Sequence, residues 1–221
     1  MFTGIIQAIG RVAAIEPKGI DSRFYIKTGD LVLDDVAIGD SIASNGVCLT
    51  AIALPGDGFW ADVSAETLSK TGFRHIKVGS RVNLEKALLP TTHLGGHIIS
   101  GHVDGIGTII ERSSAGRSVH FKIQVPAGLA RYIAAKGSIC INGVSLTVNA
   151  VNGSVFALNI VPHTLAETTL SDAQAGMAVN LEVDIIARYL ERLLLGDKAA
   201  EAALEHTITL DLLAENGFLN R

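Results

Sequence analysis

The segment Asn45-Gly46-Val47-Cys48-Leu49-Thr50 recurs 97 positions later as Asn142-Gly143-Val144-Ser145-Leu146-Thr147, and only Cys48 has changed, to Ser145. At the same offset Thr67-Leu68 meets Thr164-Leu165, Thr71 meets Thr168, and Val82-Asn83-Leu84-Glu85 meets Val179-Asn180-Leu181-Glu182. Gly4, Ile9-Gly10 and Phe59 meet Gly101, Ile106-Gly107 and Phe156. Residues 1–87 and 98–184 share about 25 identities without a gap. A self-similarity of that length constrains the architecture before any element is assigned: one module is written twice. The period is too long for a solenoid and has the size of a small domain.

The 221 residues, 48% hydrophobic, suffice for two small cores. A net charge of −4 without a basic run argues against nucleic acid as a partner. Charged residues make up only 18%, so long disorder is not expected. No window approaches the roughly 18 apolar residues of a membrane-spanning helix. Met1-Phe2-Thr3-Gly4 lacks the basic start of a signal peptide and matches Ile98-Ile99-Ser100-Gly101, so it is read as part of the fold. Cys48 and Cys140 are not equivalent in the two copies, which reads as two free thiols in a reducing cytoplasm.

Each copy reads as β-structure. Ile5–Val12 is apolar and β-branched, with Gly10 as a candidate bulge. Phe24–Lys27 is a short strand. Asn45-Gly46 between apolar runs predicts a hairpin, because both central residues of a type I′ turn need positive φ. Pro55-Gly56-Asp57-Gly58 predicts a turn before a strand at Phe59–Val63. One or two helical turns are expected over Ala65–Lys70, and a last strand over Arg81–Glu85. Turns every 8 to 12 residues suggest a small closed antiparallel barrel in each copy. The second copy adds a helix expected over Gly128–Ala135, after Pro126. Ala87–Gly96, with Pro90 and Gly95-Gly96, links the copies.

After Asp184, apolar residues Ile185, Ile186, Tyr189, Leu190, Leu193 and Leu194 fall at helical spacing. Gly196 can end that helix. Lys198–His206 and Thr207–Glu215 are expected to be helical, with Asn216-Gly217 as a stop. The apolar helix needs a surface: another copy of the chain, or its own barrel. The expected division is 1–92, 93–186 and 187–221, all-β with a C-terminal α-helix.

Differences between the copies mark where chemistry can settle. Cys48 faces Ser145, Ile5 faces His102, Glu66 faces His163, Gly39 faces Lys136 and Ala87 faces Asp184, while His97 has no counterpart. The polar surplus thus sits on the second copy and the thiol on the first. A site using both forms between two barrels, within a chain or across a subunit contact. Ordinary roles stand beside these. Cys48 can be a small core side chain, Lys136 a solvated turn charge, Asn45 and Asn142 turn residues, and Thr50 and Thr147 β-branched fillers. His97 and His102, five apart, would face opposite ways in a strand, and no zinc-ligand spacing is present.

These residues together resemble the α-type riboflavin synthase family. The stretches that carry the resemblance are Met1–Ile5, Asn45–Thr50, Glu66-Thr67-Leu68, Gly95-Gly96-His97, Ser100-Gly101-His102-Val103-Asp104-Gly105, Lys136-Gly137-Ser138, Gly143–Val148, Pro162-His163-Thr164-Leu165 and Val179–Glu182. The resemblance implies two six-stranded Greek-key barrels and a homotrimer held partly by the C-terminal helix. It implies a reaction in which one 6,7-dimethyl-8-ribityllumazine gives a four-carbon unit to another, yielding riboflavin and 5-amino-6-(ribitylamino)uracil. No metal or redox cofactor is implied, and association with lumazine synthase is open.

Carried over, the first-barrel contacts are Gly4, Ile5, Ile6, Cys48, Leu49, Thr50, Asp62, Val63, Ser64, Ala65, Glu66 and Thr67. The second-barrel contacts are Gly101, His102, Val103, Lys136, Ser145, Leu146, Thr147, Asn159, Ile160, Val161, Pro162, His163 and Thr164. Strand-edge amides suit a flat pyrimidinedione, and hydroxyls and carboxylates suit a ribityl chain. His102 is the leading general-base candidate. Cys48 or Ser41, or water held by them, is the candidate nucleophilic group, and Ser145, Lys136 and Asp184 orient or polarise the second ring. Some family members carry Asp where this chain has Asn142, so no carboxylate role is carried to it. Position 163 varies between His and Glu. The rival readings are a non-catalytic lumazine- or flavin-binding protein of the same fold and a flavin-carrying oxidoreductase barrel. The latter lacks a Gly-rich dinucleotide-binding segment here.

Overall fold

The computed structural model describes residues 1–200. In the first copy β1 (Ala8–Lys18), β2 (Asp21–Lys27), β3 (Ser41–Ser44), β4 (Val47–Thr50) and β5 (Gly58–Val63) precede helix α1 (Ala65–Lys70). A 3₁₀ turn (Gly72–His75) then leads to β6 (Arg81–Lys86). The second copy runs β7 (Gly105–Ala115), β8 (Ser118–Gln124), α2 (Ala127–Ala130), β9 (Ser138–Ile141), β10 (Val144–Thr147), β11 (Ala150–Asn152), β12 (Val155–Ile160) and α3 (Pro162–Ala166). A second 3₁₀ turn (Thr169–Ser171) leads to β13 (Ala178–Val183), and α4 (Ile185–Leu194) follows.

The first sheet has the order β4-β3-β6-β1-β2-β5 and the second β10-β9-β13-β7-β8-β12-β11, every pair antiparallel. The connections β2–β3 and β5–β6 skip neighbours, which makes the topology a Greek key rather than an up-and-down barrel. The first barrel closes where Ile52 N donates to Trp60 O (2.8 Å) and Trp60 N to Ala53 O (2.9 Å). At the equivalent place in the second copy the pairing is long enough to make β11, with Ala150 opposite Ala157. The seventh strand is therefore the first copy's Ala53–Trp60 bridge, extended.

Two cores fill the barrels. The first is built on Phe24, Ile26, Phe59 and Leu84, the second on Phe121, Ile123, Phe156 and Leu181. Both members of each Asn-Gly pair have positive φ, Asn45 47° and Gly46 77°, Asn142 46° and Gly143 84°, as a type I′ turn demands. The expected bulge is displaced. It falls at Ala13, between Val12 and Ala14, and again between Ile109 and Glu111. Gly10 instead marks close packing, since a Cβ there would lie 2.5 Å from Leu84 Cδ1. The helix expected over Gly128–Ala135 is only one turn, Ala127–Ala130. Lys198–Ala200 belong to a 3₁₀ turn, Gly196–Ala200, and the helices expected beyond them lie outside the described residues.

The barrels lie in one compact unit, Met1–Arg188. Their hairpin tips meet head to head, and a Cβ on Gly46 would lie 2.7 Å from Gly143 N. Around this point a reciprocal network forms. Asn83 Nδ2 donates to Asn142 O (2.9 Å) and Asn180 Nδ2 to Asn45 O (2.8 Å). Asn83 Oδ1 accepts from Thr169 N, and Asn180 Oδ1 from Gly72 N, both 2.7 Å. The repeated asparagines therefore join the modules as well as turning the chain.

Candidate active site

The segment before each barrel's first strand crosses to the other barrel. Phe2 and Ile99 pair as an antiparallel bridge. Gly4 O accepts the N–H of Ser145 in β10 (2.8 Å), and Gly101 O accepts the N–H of Cys48 in β4 (2.9 Å). Ile6 packs against the second core and Val103 against the first. Each exchange covers the exposed edge of a short strand, which would otherwise present unpaired backbone groups. The close approach requires glycine. A Cβ on Gly4 would lie 2.6 Å from Ser145 Cβ, one on Gly101 2.7 Å from Cys48 Cβ, and both glycines have φ near +80°.

This geometry regroups the candidate residues. Gly4, Ile5 and Ile6 lie with Ser145 on the second barrel, not with Cys48. Gly101, His102 and Val103 lie with Cys48 on the first, not with Ser145. The sequence spacing could not reveal this, because an exchange and its unexchanged counterpart align identically.

At the first surface, Ser41, Ala43, Cys48 and Thr50 share the outer face of the β3–β4 hairpin, since Ser41 pairs with Thr50 and Ala43 with Cys48. Leu49 points into the core and Thr50 to solvent. From β5, Asp62 is exposed and Val63 buried. Asp62 takes a bidentate bond from Arg23 (2.7 and 3.0 Å), and this contact holds its carboxyl below the usual range. Ser64 caps α1 by accepting from Thr67 N (3.1 Å), Ala65 N donates to Asp21, and Glu66 is exposed in the first turn. His102 is exposed immediately beyond Gly101. Ser41 also lines a recess of about 260 Å³ with Gln7, Asp40, Lys86 and Leu88.

At the second surface Ser145, Leu146, Thr147, Asn159, Ile160, Val161 and Thr164 line a recess of about 250 Å³. Pro162 and His163 open α3 beside it. One partner was not among the expected site residues. His97 is 9% exposed, and its Nδ1 pairs with Ser145 Oγ at 2.7 Å. Its Nε2 is buried without a hydrogen-bond partner. Burial lowers the His97 pKa, against a smaller opposing pull from Asp184. Its backbone N–H donates to Thr3 O (3.2 Å), so the exchanged segment fixes it. The signal available in the sequence was its place after Gly95-Gly96 with no counterpart in the first copy. A Cβ on Gly96 would lie 2.1 Å from Thr3 O and 2.7 Å from Ser145 Cβ.

Asp184 accepts from Ile186 N (3.0 Å) at the start of α4. Lys136 sits at φ +67°, in the left-handed region that Gly39 occupies in the first copy. Its N–H donates to Val148 O, as Gly39's does to Ala51 O. Among the described residues no hydrogen bond or ion pair joins Lys136 to the Ser145 surface, and no cluster of His, Cys, Asp and Glu could hold a metal ion.

Comparison with known proteins places this geometry. A lumazine binding domain matches residues 3–87 and again 100–184. The riboflavin synthase of Photobacterium phosphoreum is 53% identical over 219 residues, 99% of this chain and 100% of the relative. The chain belongs to the riboflavin synthase family. The riboflavin synthase of Bacillus subtilis is 38% identical over 99% of this chain and all of its own. That of Mycobacterium tuberculosis is 44% identical over 88% of this chain and 98% of its own. Among solved structures, LumP complexed with riboflavin superposes with a TM-score of 0.77 at 27% identity, covering 83% of this chain and 99% of that one. LumP complexed with 6,7-dimethyl-8-(1'-D-ribityl) lumazine gives 0.74 at 26% over the same shares. For a riboflavin synthase family member, the tandem antiparallel barrels are the expected fold.

Proposed function

We propose that this chain forms riboflavin and 5-amino-6-(ribitylamino)uracil from two molecules of 6,7-dimethyl-8-ribityllumazine, moving a four-carbon unit from one to the other. The observation that carries the reading is that the two outer faces are equivalent in strand register but different in chemistry. One presents Cys48 beside Gly101 and His102. The other presents Ser145 paired with His97 beside Gly4. A dismutation needs that difference, because identical substrates must play donor and acceptor.

The exchanged segments take the Cys48 and Ser145 amides, so the next outward backbone groups of β4 and β10, at Thr50 and Thr147, bind the pyrimidinedione, and the side chains of Thr50, Thr147, Asp62 and Asn159 lie where a ribityl chain can be held. On one lumazine the C7 methyl loses a proton, and the anion delocalises into the ring. His102 is the base candidate, because its imidazole is exposed beside the Cys48 surface, where it can take a proton from a bound ring. On the other lumazine C7 accepts a nucleophile. Ser145, its hydroxyl polarised by His97, is a candidate beside Cys48, Ser41 and water they hold. Asp184 only partly offsets the burial that disfavours a charged His97, so the imidazole faces Ser145 as a neutral ring. Facing the rings turns an encounter of dilute molecules into an intramolecular step.

The productive pair joins the first surface of one subunit to the second surface of its neighbour, in a homotrimer. Ile186 is exposed on α4, and the apolar stripe continues through Leu190 and Leu193, which supports α4 as the oligomerisation element. Lys136, unbonded to its own Ser145 surface, fits a role across that contact. The functional division is 1–92, 93–186 and 187–221. We place the enzyme in the cytoplasm, with docking to lumazine synthase as a further partner; no helix among the described residues is long and apolar enough to cross a membrane.

The test is anaerobic incubation with 6,7-dimethyl-8-ribityllumazine. One riboflavin per two lumazines consumed, without added oxidant, is expected. Retention of one or two ligands per chain without turnover would overturn the reading in favour of a binding protein.

A further inference from the structure

Both exchanged segments end on a buried carboxylate. Glu85 is 3% exposed, and its Oε1 accepts from Thr3 N and Thr3 Oγ1 (both 2.6 Å) while Oε2 accepts from Gly4 N (2.9 Å). Glu182 is 4% exposed, and it accepts from Ser100 N and Ser100 Oγ (both 2.6 Å) and from Gly101 N (3.0 Å). Three short donated bonds to each carboxylate leave the segment one position.

What each segment then holds belongs to the opposite barrel. Thr3 O takes the N–H of His97 and Gly4 O that of Ser145, so Glu85, a residue of β6, sets both members of the His97–Ser145 pair. Gly101 O takes the N–H of Cys48, so Glu182, a residue of β13, sets the thiol of β4. We propose that Glu85 and Glu182 are crossed positioning residues: each fixes the ligand surface of the barrel to which it does not belong. The inference rests on reading the two surfaces as ligand sites.

The physical warrant is the acceptor count. A carboxylate accepts at both oxygens, whereas the amide of glutamine presents an N–H₂ to one of them. Glu85→Gln keeps the volume but sets donor against donor at Thr3 or Gly4. The segment must shift, and the Gly4–Ser145 contact, too tight for a Cβ, shifts with it. A purely structural carboxylate would weaken its own barrel or both.

The experiment titrates riboflavin, which binds without turning over, into the full-length protein. Backbone amide shifts of Thr50 report the first surface and those of Thr147 the second. Glu182→Gln is expected to raise the midpoint at Thr50 tenfold or more and leave that at Thr147 within twofold. Glu85→Gln is expected to do the reverse. If a glutamine variant does not fold, Thr3→Val and Ser100→Ala each remove one donated bond and should show the same crossed pattern at about threefold. Weakening of the substituted residue's own barrel, or equal weakening of both, would overturn the proposal. If the wild-type protein binds no riboflavin, the functional reading itself fails, which is a different result from uncrossed binding.

Discussion

Asn83 Nδ2 donates to the carbonyl of Asn142 at 2.9 Å, from a strand of one barrel to the hairpin tip of the other. The same side chain accepts from Thr169 N (2.7 Å), and Asn83 is only 1% exposed. Removing it leaves the Asn142 carbonyl and the Thr169 N–H without these partners. Each such group costs about 1–3 kcal/mol. Asn83→Ala is therefore expected to destabilise the protein by about 2–4 kcal/mol in urea unfolding, and Asn180→Ala, its counterpart, by a similar amount. A change below about 0.5 kcal/mol would show that water replaces the bonds.

The repeat made much of this legible. Asn-Gly tips, Val-Asn-Leu-Glu and the Thr71/Thr168 pair are identical because both copies turn, join and cap with them. What the sequence could not show is the partner of each edge. Phe2, Gly4 and Ile6 align with Ile99, Gly101 and Val103 whether the segments stay home or cross. The pairings of Gly4 with Ser145 and of Gly101 with Cys48 decide it. His97 escaped assignment for a related reason: its partner Ser145 is 48 residues away, and a lone buried histidine has no period. The helix after Pro126 is a single turn because Tyr132 N and Ile133 N bond three residues back, to Leu129 O and Ala130 O, and these tighter turns carry Ile133 into the core.

His97 gives the chain a pH-dependent stability. Burial holds its folded pKa below the ordinary 6.5. Below that ordinary value the unfolded chain takes a proton that the folded chain refuses, so stability is full at higher pH and falls as pH drops toward the folded pKa. The slope contributed by one such group is at most about 1.4 kcal/mol per pH unit. Comparing wild type with His97→Gln by urea unfolding between about pH 7 and pH 5, the wild type should lose stability more steeply. Parallel curves would mean that His97 is not held neutral.

Lys136 occupies a left-handed backbone position where the first copy has Gly39. A non-glycine there costs about 1–2 kcal/mol, and strain of this kind persists where a side chain is needed. Relief of that strain, about 1–2 kcal/mol, outweighs or matches the roughly 0.5–1 kcal/mol entropy cost of glycine, so Lys136→Gly is expected to keep or slightly raise stability while turnover falls at least tenfold. Unchanged turnover would reduce the lysine to a solvated turn charge.

Base and nucleophile separate in kinetics. His102 is exposed beside the Cys48 surface, where it can reach a bound ring without holding the fold. His102→Gln should thus leave stability and riboflavin affinity within about threefold, while kcat falls roughly 100-fold, the usual scale for losing a positioned base. Cys48 is half-buried on the same face, and its N–H, not its thiol, makes the bond to Gly101. Cys48→Ser therefore preserves the exchanged segment and changes only the side-chain chemistry. If the thiol adds to C7 of the acceptor ring, kcat drops tenfold or more with KM unchanged, because the interaction is made after binding. Full turnover in Cys48→Ser would assign that step to Ser145 with His97, or to water, and full turnover in His102→Gln would remove the base from the first surface.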